Sequence, residues 1–421
     1  MEKLKDQFLK EYDNFYSDLK ELMKIPSVSS DLKNVEKALL YMVELAKGYG
    51  LEAKCVLDNR VAIIEYGSGE ETMGLLAHLD VVPVNEAEWD YPCFDLSEDN
   101  GYLYGRGILD DKGPAMMMLY VLKILKDLNI EPKRKIQLIL GGQEEVNWTD
   151  MEDYTKTFKL PDFGFTPDGK FPIQNAEKGL IDLKFTFDKK NIQEISAGNA
   201  ANAVPDFLEI VIDNKKYNFN GVAAHSSLPE LGENAIVKGM QEINKEHSHS
   251  FIEFILNWFQ DYNGRDLGIY EENYVNDNVL NLTSILPTFI VDNEDTFDVI
   301  VNSRLALERI GDELITKFQN NENTYQYKFE VSDYLKPIYL EKDLWFIQKM
   351  KEVYEKETNT EVKFGLSFGT TYAKAIPNFV SFGPNFPEDE STAHQKNENL
   401  NEEKLIRAQN IYLKTIYELT K

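Results

Sequence analysis

Two kinds of hydrophobic pattern divide the chain. Up to about residue 178, and again after Asp343, apolar residues come at helical spacing or in short unbroken runs. Between those limits they mostly alternate. Leu4, Phe8, Phe15, Leu19 and Leu22 recur at helical spacing and predict an amphipathic helix stopped near Pro26. Val35, Leu39, Met42 and Leu45 predict a second, ended by Gly48 or Gly50. Strands are expected from Ala53 to Leu57, Arg60 to Tyr66 and Met73 to Ala77. Pro114 to Leu128 is apolar almost all round, which predicts a buried helix, and its Met116-Met117-Met118 run suits core filling. Ile136 to Leu140 is another buried strand, running into Gly141-Gly-Gln-Glu144-Glu145. Apolar strands separated by a helix imply an α/β domain with a mostly parallel sheet flanked by helices.

From about Gly179 the period changes. Ile181, Leu183, Phe185 and Phe187 alternate cleanly, as do Leu208, Ile210 and Ile212, and Phe297, Val299 and Val301. Such strands have one exposed face and belong to an antiparallel sheet. Phe251, Phe254, Ile255, Trp258, Phe259 and Tyr262 predict an amphipathic helix, and another is expected near Glu313 to Phe318. Residues 179–336 therefore read as an inserted α+β lid domain, and residues 1–178 and 337–421 as the domain that carries it. After the insertion, helices are expected from Leu344 to Tyr354 and Glu402 to Leu419, with a short strand at Phe379 to Phe382.

Composition narrows the class. A net charge of −27 argues against nucleic acid and anionic membranes as partners. Cys55 and Cys93 cannot form a disulfide framework and lack metal-type spacing. Together with a charged N-terminus and no long apolar run, this leads us to expect a cytoplasmic protein.

The chemistry gathers where apolar runs end. The strand from Met73 stops on His78-Leu-Asp80, whose two polar side chains share a face. A carboxylate there can hold one imidazole nitrogen and leave the other for a metal. Asp110-Asp111 follows a glycine-rich loop and precedes the Pro114 helix, so one of the pair could equally be an N-cap. Glu144-Glu145 and Asp168 complete a set of junctions ending in metal-type donors, the returning segment adds His394, and the whole set includes two of only five histidines. Two imidazoles with several carboxylates suit zinc, manganese or cobalt. A pair of such ions about 3.5–4 Å apart is a known hydrolytic clamp. The Glu144-Glu145 doublet allows one ligand and one base.

Leu76-Ala-His78-Leu-Asp80, Gly105-Arg-Gly-Ile-Leu-Asp110-Asp-Lys-Gly113, Glu144-Glu-Val-Asn-Trp148 and Ala393-His-Gln395 resemble the di-zinc M20 metallopeptidases, above all the PepV-type dipeptidases. Pro161-Asp-Phe-Gly-Phe-Thr-Pro-Asp168, Glu177-Lys-Gly179 and Gly369-Thr-Thr-Tyr-Ala-Lys374 extend the resemblance over nearly the whole chain. It implies that His78 and Asp168 hold one metal, Glu145 and His394 the other, and that Asp110 bridges across a cis Asp110–Asp111 peptide. Asp80 would orient His78, and Glu144 would be general base and then acid. His225 would stabilise the oxyanion. Asn202, Arg304, Gly369 and Thr370 would contact the substrate. The implied activity is hydrolysis of dipeptides with two divalent ions, zinc foremost, by a monomer, with a homodimer as the alternative. Removal of an acyl group from N-acyl amino acids would use the same chemistry, and a non-catalytic peptide or metal binder would not need Glu144. One departure stands out: between Asn202 and His225 the chain turns almost directly through Asp213-Asn-Lys-Lys216, so a smaller lid is expected than in close relatives.

Overall fold

The computed structural model describes Leu4 and residues 6–421, which form two compact units. The first comprises Met1–Asn175, Leu340–Gly365 and Thr371–Lys421; the second comprises Ala176–Tyr339 and Leu366–Thr370. Among the described residues no helix is long and apolar enough to cross a membrane.

The first unit is built on a mixed sheet. Its parallel centre runs Lys135–Gly141, Thr72–His78, Phe163–Thr166 and Phe379–Ser381 in spatial order. Val61–Tyr66 and then Glu52–Val56 continue it antiparallel on one side. The strand Thr72–His78 is buried at every position, which is why its sequence is an unbroken apolar run. The helix Lys112–Asp127 starts a little before the expected Pro114 and is buried along nearly its whole length. Gln7–Met23, Leu32–Gly48, Trp345–Thr358 and Glu402–Thr420 are amphipathic and bury their apolar stripes in one core with it. Leu4 is buried but precedes the first helix.

The second unit is a seven-stranded antiparallel sheet with helices Ala235–Ile243, Ser250–Trp258 and Glu308–Asn320. Its strand Gly179–Asp188, paired between Thr296–Leu305 and Tyr327–Leu335, alternates buried and half-buried residues up to Phe187. Phe185 is fully buried among the rings of Phe254, Phe318 and Tyr327, at 4.8, 4.9 and 5.0 Å. Truncating such a side chain costs about 3–5 kcal/mol. The Ser250–Trp258 helix stops short of the expected Tyr262, with Phe259 as its C-cap. The strand Ser284–Asp292 has no counterpart in the sequence reading; the structure absorbs its proline at a register shift between Pro287 and Phe289. Phe207–Ile212 and Lys215–Asn220 form the short hairpin expected from the compact lid. Asp213 and Asn214 both have positive φ, at 49° and 60°, the signature of a two-residue primed turn.

Candidate active site

Parallel strands that end together bring their following loops to one edge. His78 pairs in register with Gly141, so His78 and the Gly141–Glu145 loop start from the same point. Asp168 follows the neighbouring strand Phe163–Thr166 by two residues. Asp110 comes from the loop before Lys112–Asp127, and His394 from a loop ahead of the last helix.

These side chains meet. Nε2 of His78 lies 2.9 Å from Oδ1 of Asp110 and 3.9 Å from Oδ2 of Asp168. Nε2 of His394 lies 3.1 Å from the other Asp110 oxygen, Oδ2, and 2.9 Å from Oε1 of Glu145. Two donors on one tetrahedral zinc-like ion, with bonds of about 2.0–2.2 Å, stand roughly 3.3 Å apart. The observed spacings fit that separation. One oxygen of Asp110 is turned to each imidazole, with Asp168 on the His78 side and Glu145 in contact with His394, although donor atoms of His78, Asp110 and Glu145 also lie within 4.8 Å of one another. Glu144 stands outside these contacts, yet a carboxylate oxygen of it comes within 4.8 Å of donor atoms of His78 and Asp168.

Electrostatics point the same way. Burial pushes Glu144 well above the usual carboxylate range, and Asp168, Glu145 and Asp110 add to this against the pull of His78. Burial and the charge of Asp110 raise Glu145 as well. Against its own burial, Asp110 is held low by hydrogen bonds from His394 and His78. The carboxylates of Asp110 and Glu145 in turn raise His394 to about 11. Acids crowded this closely hold protons or bind cations.

The Gly142–Glu145 loop is fixed by side chains that accept each of its amide hydrogens. Asp150 takes Gly142 N–H at 2.8 Å, and Tyr372 Oη takes Gln143 N–H at 3.2 Å. Asp80 takes Glu144 N–H at 3.0 Å and Glu145 N–H at 3.2 Å, while Ser29 donates to it at 2.8 Å. Tyr372 donates to Asp150 and packs so closely that a Cβ on Gly141 would meet its ring at 2.5 Å. The expected orienting role of Asp80 is thus divided: its carbonyl oxygen receives Nδ1 of His78 at 2.9 Å, and its carboxylate stays 3.4 Å from that nitrogen.

The Asp110–Asp111 peptide is cis. Asp111 occupies the N-cap position of the Lys112–Asp127 helix but does not cap it; its Oδ2 accepts His78 N–H at 3.1 Å. Lys112 donates to the Ile25 carbonyl at 2.6 Å. Asp150, Tyr372 as a support of the Gly142–Glu145 loop, and Glu398 are parts of the site that sequence reasoning missed. Each is a buried polar residue that no local pattern distinguishes.

His225, Asn202, Arg304, Gly369 and Thr370 lie in the second unit. Ser226 N–H donates to the Asn202 carbonyl at 2.9 Å, and Ala203 bridges to His225. Nδ1 of His225 accepts Ser227 N–H at 3.1 Å, which leaves the ring proton on Nε2. Burial, helped by the nearby charge of Arg304, keeps this imidazole neutral by lowering its pKa. Arg304 is buried rather than a sheet-surface residue; its Nη1 is 3.5 Å from Thr370 Oγ1, and its Nε has no partner. Gly369 is open to its surroundings, with only Ser367 Oγ near its Cβ position. His247 and His249 form no site: His247 bonds Asp213 and Tyr217, and His249 is buried at the start of a helix, where the sequence reading expected a surface loop.

A Staphylococcus aureus (strain USA300) protein bearing the name "Putative dipeptidase" is 30% identical over 460 aligned residues, covering 97% of each chain. That alignment is longer than this chain of 421 residues, so the relative carries segments that are missing here. Two solved structures share the fold. Dug1p, a di-peptidase from Saccharomyces cerevisiae, has a TM-score of 0.67 at 14% identity, over 99% of this chain and 98% of that one. Aminoacylhistidine dipeptidase from Vibrio alginolyticus has a TM-score of 0.66 at 15% identity, over 97% and 96%. The sequence profile of peptidase family M20/M25/M40 matches residues 74–418, a span that runs from the central strand into the last helix. With that match and a relative aligned along almost its whole length, the chain belongs to this family of metal-dependent peptidases.

Proposed function

We propose that the chain is a cytoplasmic dipeptidase that works on small peptides with two divalent cations, zinc foremost and manganese or cobalt as substitutes, and acts as a monomer. The observation that carries this reading is the placement of Asp110, with one carboxylate oxygen 2.9 Å from His78 and the other 3.1 Å from His394. A single carboxylate turned to two imidazoles is what a bridged ion pair requires. Preference for dipeptides is supported by the name of the relative aligned over nearly its full length.

Cations held by His78, Asp168, Asp110, Glu145 and His394 would supply Lewis acidity at the scissile carbonyl and lower the pKa of a water to about 7. The protein's own groups do the rest. Glu144 takes the proton of the attacking water and returns it to the leaving amine. Asp80 and Trp148 hold it in place, the first through its amide hydrogen and the second through its carbonyl oxygen at 2.7 Å. His225 presents a neutral Nε2–H donor for the developing oxyanion. Arg304, with its unpaired donor, grips the substrate carboxylate.

The test is a panel of dipeptides, tripeptides and N-acetyl amino acids, assayed after chelation and after return of zinc, manganese or cobalt singly. Dipeptide hydrolysis lost on chelation and restored by a metal is the expected result. Turnover confined to the N-acetyl compounds would replace the reading with an amidohydrolase. Turnover that survives exhaustive chelation would remove the two-cation site.

A further inference from the structure

We infer that Glu398 is a positioning residue of the metal centre: its carboxylate fixes the backbone of residues 106–110 and so sets where Asp110 points. The inference rests on the two-cation reading of the site, but concerns a residue that reading does not use.

Glu398 is completely buried and lies four residues past His394. Both of its oxygens are occupied. Oε2 accepts from Nη1 of Arg106 at 2.6 Å and from Gly107 N–H at 3.1 Å. Oε1 accepts from Leu109 N–H at 2.8 Å and from Asp110 N–H at 3.1 Å. Only donors face it, so the pocket is shaped for a carboxylate and not for an amide. Two further bonds bind the same segments: Gly105 N–H to the Glu398 carbonyl at 3.1 Å, and Nη2 of Arg106 to the Gln395 carbonyl at 3.2 Å.

Apart from these, the loop is held by Arg106 N–H on the Cys93 carbonyl at 2.8 Å and Ile108 N–H on the Gly105 carbonyl at 3.1 Å, neither of which reaches the amides of Gly107, Leu109 and Asp110. The loop contains no helix or strand from Gly105 to Asp111, and Gly107 sits at φ 91°, where the backbone follows no regular ladder. Those three amide hydrogens would be buried without acceptors if the carboxylate were missing, and the loop would have to move to find others. Movement at Asp110 N–H carries the side chain with it. Asp110 must place its two oxygens toward different imidazoles, a condition that tolerates little displacement. Since His394 and Glu398 belong to one short segment, that segment both contributes a donor and holds the carboxylate that the donor faces. Residues that support a metal ligand in this way change affinity or activity about 10–100-fold when altered.

The experiment titrates the metal-free full-length chain with cobalt(II), reading affinity, stoichiometry and the visible d–d absorption. For Glu398→Gln, which keeps the size but turns an amino group toward amide donors, we expect cobalt affinity at least about tenfold weaker and an altered absorption band. Far-UV circular dichroism of the metal-free variant should stay at wild type. Glu398→Asp should recover part of the affinity. A folded Glu398→Gln chain with wild-type affinity, stoichiometry and spectrum would overturn the inference. Should that variant fail to fold, Arg106→Met decides, since it removes one of the four donors; weaker cobalt binding with a changed spectrum supports the role, and unchanged binding overturns it. A wild-type chain that takes up no pair of cobalt ions would remove the two-cation reading, and this inference with it.

Discussion

His78 and Asp80 are joined by the imidazole Nδ1 and the aspartate's backbone carbonyl oxygen, 2.9 Å apart, while the Asp80 carboxylate, 3.4 Å from the same nitrogen, accepts the amide hydrogens of Glu144 and Glu145. An aspartate two residues past a metal-type histidine is easily taken for its orienting partner alone. Here the backbone serves that purpose, and the charged group is free to hold the loop that bears the candidate base.

Asp80→Asn tests that division. An asparagine side chain can accept one of the two amide hydrogens but sets an amino group against the other. We expect activity to fall about 10–100-fold while the chain still binds two metal ions. Loss of one ion in a metal titration, with the base loop undisturbed, would return Asp80 to a role confined to His78.

Glu144→Gln keeps the shape of the side chain and removes its ability to accept a proton. The five donors are untouched, so metal stoichiometry should stay at wild type. The kcat should drop by about 10²–10⁴. Steady-state kinetics beside a metal assay on the same sample checks both parts, and a variant with wild-type kcat would exclude Glu144 as the base.

His225→Ala removes the Nε2–H donor of the second unit. The expected loss is about 10²–10³ in kcat, with metal affinity unchanged. Unchanged kcat in a folded variant would take His225 out of the mechanism.

His249 gives a stability prediction with a definite sign. Burial, and then the charge of Lys190, lowers its pKa, against the carbonyl of Asp188 that accepts from its Nε2. Its Nδ1 accepts Phe251 N–H at 3.0 Å, so protonation there breaks the cap of the Ser250–Trp258 helix. The unfolded chain takes that proton near pH 6.5 and the folded chain only at lower pH. Between those values the unfolded state binds more protons, and stability falls as pH falls. Urea midpoints at pH 7.5 and 5.5 should show a larger drop for wild type than for His249→Asn, whose uncharged side chain can cap in the same way. Equal drops would show that another group governs the acid limb.

The sequence was most readable where one physical demand acted alone. Thr72–His78 is buried on both faces and is written as an apolar run; Gly179–Asp188 is buried on one and alternates up to Phe187. Both patterns follow from geometry that a sequence records directly. The candidate donors His78, Asp110, Glu145 and Asp168 could be named because each stands where a strand or a glycine-rich loop gives out; His394 sits at no such place, and the sharing of the five between two cations was implied only by the family resemblance. The supports behind them were not visible. Tyr372 and Glu398 act on backbone groups far away in sequence, with Glu398 and Asp110 288 residues apart, whereas Asp150 acts on Gly142 and differs from a surface acid only in its burial. A buried carboxylate with distant partners reads like any exposed acid. The strand Ser284–Asp292 went unread, and in it Pro287 is accommodated at a register shift.

That span between Glu398 and Asp110 also sets an order of events at the ribosome. The loop that turns Asp110 emerges early, and the carboxylate that receives its amide hydrogens is synthesised nearly last. For the whole of that interval the amide hydrogens of Gly107, Leu109 and Asp110 lack the acceptor they have in the folded chain, and His394 is likewise still to come. On the two-cation reading, a growing chain, however well its early strands have paired, has no complete cage until the segment that carries His394 and Glu398 has emerged.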